Sequence, residues 1–77
     1  MKVKIINYSN ILYTGYIKSL IAPGKNGKFQ LLKNHISFIS ILKNGHIILI
    51  EKNNKVKQIK IQKGILKINK NLIVILI

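Results

Sequence analysis

Residues able to carry chemistry are few in this chain of 77 residues. Glu51 is its one carboxylate side chain, so the paired acids of general acid–base hydrolysis are missing. His35 and His46 stand eleven positions apart, with no cysteine and no second acid to complete a metal shell. Ser9, Ser19, Ser37 and Ser40 lie outside any Gly-x-Ser-x-Gly elbow. The pair Gly24 and Gly27 could cradle a phosphate, but no helical pattern follows to supply a dipole. Tyr8, Tyr13 and Tyr16 could stack on bases, yet they scatter over two extended segments. These residues argue against an independent enzyme and call for neither a cofactor nor a metal.

The charge points elsewhere at first sight. A net charge of +13 is what a phosphate-binding surface carries. All fourteen basic residues are lysine and none is arginine, although arginine supplies the bidentate contacts to guanine and phosphate. Lysine, isoleucine and asparagine together make up 41 of the 77 residues. All three have codons rich in adenine and thymine, so a biased genome explains the lysines more simply than a ligand does. The alternative reading is a free-standing basic β-barrel that binds nucleic acid or an anionic membrane surface.

The positioning elements are strands. Lys2 to Asn7 alternates polar and apolar residues, and Asn7 to Asn10 supplies turn formers. Ile11 to Ala22 is extended and rich in β-branched and aromatic residues. Its apolar parity changes once, which predicts a β-bulge near Lys18 and Ser19. Gly15 marks a further bend or a close backbone approach. Pro23, Gly24 and Gly27 frame a lysine-rich tip, followed by Phe29, Leu31 and Leu32 and then by a polar loop carrying His35. Ile36 to Leu42 leads to a turn at Lys43-Asn44-Gly45. Strands are expected over Gly45 to Glu51, Val56 to Lys63, Ile65 to Ile68 and Leu72 to Ile77. Asn53-Asn54, Gly64 and residues 69–71 form the turns between them. Short strands at this spacing without a helical period predict an all-β fold. The expectation is one small antiparallel β-sandwich or flattened barrel of about eight to ten short strands over residues 1–77. The longest apolar runs fall far short of the ~20 residues that span a bilayer, and a soluble domain is expected.

The segment from Pro23 to Gly45 resembles a known family: the amino-terminal β-sandwich domain of the epsilon subunit of F-type ATP synthases. The resemblance rests on Pro23, Gly24, Gly27, Phe29, Leu32, Asn34, His35, Ser40, Leu42 and Gly45 at unbroken spacing. It extends through Lys63 to Ile68 and through the closing strand Asn71 to Leu76. It implies a non-catalytic central-stalk subunit that couples gamma to the c ring, bound peripherally on the cytoplasmic face of the bacterial inner membrane. It also implies that Lys25, Asn26 and Lys28 face the c ring, and that no nucleic acid is bound. His35 has two readings: an imidazole bonding across that interface, or one tying down the local turn through its ring nitrogens. Many members continue into a two-helix hairpin, which these 77 residues do not include. The chain departs from the family pattern at Lys28, where an acidic residue is common, and near Asn26. Gln30 stands for a usual glycine, and Lys33 and Ser37 for usual prolines.

Fourteen lysines with one glutamate must crowd a small surface. Ammonium groups closer than the ~8 Å Debye length at physiological salt repel one another, and this disfavours the compact state. The melting temperature should therefore rise as sodium chloride goes from low to moderate concentration. A fall with added salt would show that attractive pairs dominate.

Overall fold

The computed structural model describes residues 1–32 and 37–77; His35 lies outside the described residues. Eight strands follow one another: β1 (Lys2–Asn7), β2 (Asn10–Gly24), β3 (Gly27–Leu31), β4 (Phe38–Leu42), β5 (Gly45–Glu51), β6 (Val56–Ile61), β7 (Gly64–Asn69) and β8 (Leu72–Leu76). Alternation of buried and exposed side chains runs through β1, β5, β7 and β8, as one solvated and one covered face requires.

Pairing makes a flattened barrel. The first half of β2 pairs with β1 and its second half with β3 and β5. The ladder β1-β8-β7-β4 returns to β2 through Gly24 and Leu42. β6 lies at the edge beyond β5. Among the described residues every pairing is antiparallel except β1 with β8, which run parallel from Lys2 opposite Leu72 to Ile6 opposite Leu76. The sandwich is thus mixed rather than wholly antiparallel, because the first and last strands close the same face side by side.

One strand serving both halves needs a correction of parity. Ile17 faces Glu51 and Ser19 faces Ile50, so Lys18 is the extra residue of a β-bulge. Ile17 and Leu20, three positions apart, thereby both point inward at 1% and 0% exposure. A second shift lies opposite Ile5 and Ile6, where Leu12 is passed over. The core gathers Val3, Ile5, Leu20, Ile47, Leu49, Leu66, Ile73 and Ile75, all fully covered. Phe29 and Phe38 pack partly buried against it, edge to face at 6.2 Å. Truncating one such Leu or Ile to Ala costs about 2–5 kcal/mol, a large share of the stability of so small a domain.

Asn54, Tyr8 and Lys70 take positive φ in the turns. Asn54 takes φ 70° in the β5–β6 turn, which suits asparagine. Tyr8 and Lys70 also have positive φ, at 56° and 58°, where an L side chain costs roughly 1–2 kcal/mol. Gly15 keeps regular pairing with Val3; a Cβ there meets the Tyr13 hydroxyl at 2.9 Å.

Gly64 begins β7 opposite Leu42. A Cβ on it would lie 2.8 Å from the Leu76 carbonyl oxygen and 2.9 Å from the Ile77 side chain. Gly64→Val should destabilise by more than about 1 kcal/mol, measured by urea or thermal unfolding. An unchanged transition would mean that the corner yields freely.

Candidate functional site

The tip is built by the β2–β3 hairpin. Gly24 pairs with Gly27, leaving Lys25 and Asn26 as a two-residue loop, both exposed. Gly27 holds φ +134°, a conformation that side chains rarely adopt. The hairpin is lashed to the β4–β5 turn by two backbone hydrogen bonds. Lys25 N donates to the Ile41 carbonyl at 2.8 Å, and Lys43 N donates to the Pro23 carbonyl at 2.8 Å. Pro23 is buried under Gly45, where a Cβ would come within 2.8 Å of the proline ring. The two turns therefore form one surface.

A trough lies on each side of the hairpin loop. One, of about 510 Å³, runs between Lys25 to Phe29 and the β4 residues Ile39 to Ile41. The other, of about 400 Å³, is bounded by Pro23, Lys28, Lys43 and His46. Lys28 borders both. His46 faces Lys60 across β5 and β6, an exposed strand residue beside the trough. Of the tip residues singled out in the sequence, Lys25, Asn26 and Lys28 come together here, and Gly64 sits across β4 from them.

The remaining candidates are occupied elsewhere. Glu51 ends β5, at the opposite end of that strand from Gly45, and accepts a 2.5 Å hydrogen bond from the Tyr13 hydroxyl. Burial pushes the Tyr13 pKa up to about 12, assisted by the hydrogen bond and the negative charge of Glu51. The Tyr16 ring lies near two ammonium groups, Lys2 at 5.9 Å and Lys52 at 5.4 Å, in cation–π geometry. Tyr8 stands exposed in the β1–β2 turn. Tyr13 and Tyr16 thus serve separate local contacts, and with the exposed Tyr8 they form no stacking platform. Among the described residues no group of three histidine, cysteine or acidic side chains could hold a metal. No helix of the described residues is long and apolar enough to cross a membrane.

A further surface lies on the outer face of β4, β7 and β8. Ile41 faces Ile65 and Ile65 faces Leu76 across β4, β7 and β8. These three remain 55%, 42% and 40% exposed, forming an apolar row on the outer face. The sequence signal was the apolar character of Phe38 to Leu42, broken only at Ser40, in which β4 carries Ile39 and Ile41 on its solvent side.

Residues 1–77 match the family described as ATP synthase, Delta/Epsilon chain, beta-sandwich domain. The chain belongs to this family. It is 40% identical over 76 residues to the ATP synthase epsilon chain of Leptospira interrogans, covering 99% of this chain and 59% of that protein. The epsilon chain of Campylobacter concisus is 33% identical over 76 residues, with 59% of its length covered. That of Chlorobium limicola is 28% identical over 75 residues, with 85% covered. The chain thus spans about three-fifths of the length of most of these curated relatives. Among solved structures, a chain of the Euglena gracilis mitochondrial ATP synthase, OSCP/F1/c-ring in rotational state 1, superposes with TM-score 0.86 at 14% identity. The match covers 96% of this chain and 48% of that one, and it establishes the shared β-sandwich fold.

The Tyr13–Glu51 contact of this family member has a pH signature. A folded pKa near 12 against an ordinary 10.0 favours the neutral hydroxyl in the folded state. Its contribution is complete below about pH 10 and is lost as pH rises towards 12. Tyr13→Phe should therefore be less stable than the parent below pH 10, with the gap closing by pH 12. A gap independent of pH would place the contribution in packing alone.

Proposed function

We propose that this chain is the β-sandwich part of a non-catalytic central-stalk subunit in a proton-translocating ATP synthase. There it joins gamma to the c ring during rotary ATP synthesis, while the chemistry resides on other subunits. The complex places it peripherally, on the cytoplasmic face of the bacterial inner membrane. The observation that carries this reading is the family match along all 77 residues, joined to the lashed hairpin at Lys25 and Asn26. Hydrogen-bonded ladders around a close-packed core resist deformation, as a coupling element under torque must. The apolar row Ile41, Ile65 and Leu76 supports a protein neighbour along the side of the sandwich. The tip, with Lys25, Asn26 and Lys28, is read as the end that meets the ring.

Replacing both Lys25 and Lys28 with glutamate tests this placement. Both side chains are exposed, so folding stability should change by less than ~0.5 kcal/mol. Binding to the purified c ring should weaken at least tenfold, while capture of gamma is retained. A double variant that unfolds would make the tip structural. Unchanged ring binding would remove it from the interface.

A further inference from the structure

Two asparagines of this chain precede glycine: Asn26-Gly27 in the β2–β3 loop and Asn44-Gly45 in the β4–β5 turn. An Asn-Gly pair can react with itself. The glycine nitrogen attacks Cγ of the asparagine side chain, so that an N–Cγ bond forms and the Cγ–Nδ2 bond breaks. The proton lost by the attacking nitrogen balances the one taken up by the departing ammonia. Water then opens the resulting succinimide at either carbonyl. Cleavage of the new N–Cγ bond leaves aspartate; cleavage at the main-chain carbonyl leaves isoaspartate. Glycine favours the attack because no Cβ shields its nitrogen and its dihedrals are free. The two pairs are chemically alike, so the fold decides between them.

Attack needs the nitrogen and Cγ to align at about 3–3.5 Å, so the rate follows how often the segment adopts that arrangement. Around Asn44 the backbone is held. Lys43 N donates to the Pro23 carbonyl at 2.8 Å. Gly45 packs on the Pro23 ring, where an added Cβ would stand 2.8 Å from the proline Cβ and 3.1 Å from its Cγ. It also pairs with Ile61 at the head of β5. Both neighbours of Asn44 are therefore tied to one buried proline. Asn26 stands differently. Lys25 N is anchored to the Ile41 carbonyl, but beyond it the loop is open. Asn26 and Gly27 are exposed, and an added Cβ on Gly27 meets nothing within 4 Å. Gly27 pairs with Gly24, the other end of the same loop, so rearrangement there begins by opening one rung. Among the described residues, Asn53, Asn54 and Asn69 have side chains engaged by Lys55 N, Lys18 Nζ and Ser37 Oγ. No such bond holds the side chain of Asn26.

We propose that Asn26 is a site of spontaneous deamidation, and that the folded chain protects Asn44 from the same reaction. The modified loop gains a carboxylate in a chain that otherwise has Glu51 alone. The isoaspartate form also lengthens the loop backbone by one methylene. The reaction needs water and no enzyme, and it is independent of any stalk role. The exposed loop thereby acquires negative charge as the molecule ages.

The test incubates the folded chain in mildly alkaline buffer beside a sample in concentrated urea. Peptide mapping by mass spectrometry follows the amide-to-acid change at Asn26 and Asn44, and isoaspartyl methyltransferase labels the isomerised product. Protection at each site is the rate in urea divided by the rate in the folded chain, which cancels any intrinsic difference between the two pairs. Protection follows the free energy of local opening, which is smallest in exposed loops. It should be at least about tenfold greater at Asn44 than at Asn26. A smaller difference, or one of the opposite sense, would overturn the assignment. Asn26→Gln, whose longer side chain must close a larger ring, should remove the fast folded-state product and leave the melting transition in place. A fast product that persists in this variant would put the reaction at another residue and overturn the assignment as well.

Discussion

The structure depends on one strand being shared by two halves of a barrel. β2 pairs with β1 over its first half and with β3 and β5 over its second. Side chains alternate along a strand, so fifteen unbroken residues could not keep Ile17 and Leu20 both inside. The bulge at Lys18 resolves this by spending one residue without a partner. It also increases local twist, which lets β2 pass from one layer to the next. Remove the bulge and either Ile17 or the set Leu20 and Ala22 turns to water.

From that geometry the tip follows. Where β2 ends, its neighbour changes from β5 to β4, and the turn between those strands must cross beside Pro23 and Gly24. The backbone groups exposed by this change are satisfied by the Lys25–Ile41 and Lys43–Pro23 bonds, as buried amides and carbonyls must be. A position dictated by strand exchange thus becomes a stiff platform, and the sequence decorates it with lysine. The asymmetry of charge is then structural: Glu51 occupies the far end of β5, neutralising nothing at the tip.

Much of the fold was legible because turn formers punctuate alternating runs. β1 and β5 run over the residues expected, and the parity change in Ile11 to Ala22 put the bulge near Lys18 and Ser19, where the structure has it at Lys18. β6 ends at Ile61, short of Lys63, and β7 already includes Gly64. The parallel pairing of β1 with β8 left no local trace, since periodicity reports a face and not a partner across seventy residues. The same limit hid the Tyr13–Glu51 bond, whose members are 38 positions apart. Positive φ at Tyr8 and Lys70 was equally silent, because neither residue type signals it. Of the tip, the glycine spacing revealed the hairpin, while the lash to residues 41–43 depended on the path of β4, which no residue type announces. The apolar row on β4, β7 and β8 was visible only as excess apolar character, because a solvent-side isoleucine and a core isoleucine read alike.

The proposed contact between the hairpin loop and the ring of c subunits is open to direct observation. The chain contains no cysteine, so Asn26→Cys introduces a single thiol at the exposed apex of the loop. A short photoactivatable cross-linker attached there, within the assembled complex, identifies its neighbour directly by mass spectrometry. If the loop meets the ring, adducts to the c subunit form in good yield. Adducts confined to gamma, to lipid or to solvent would contradict it.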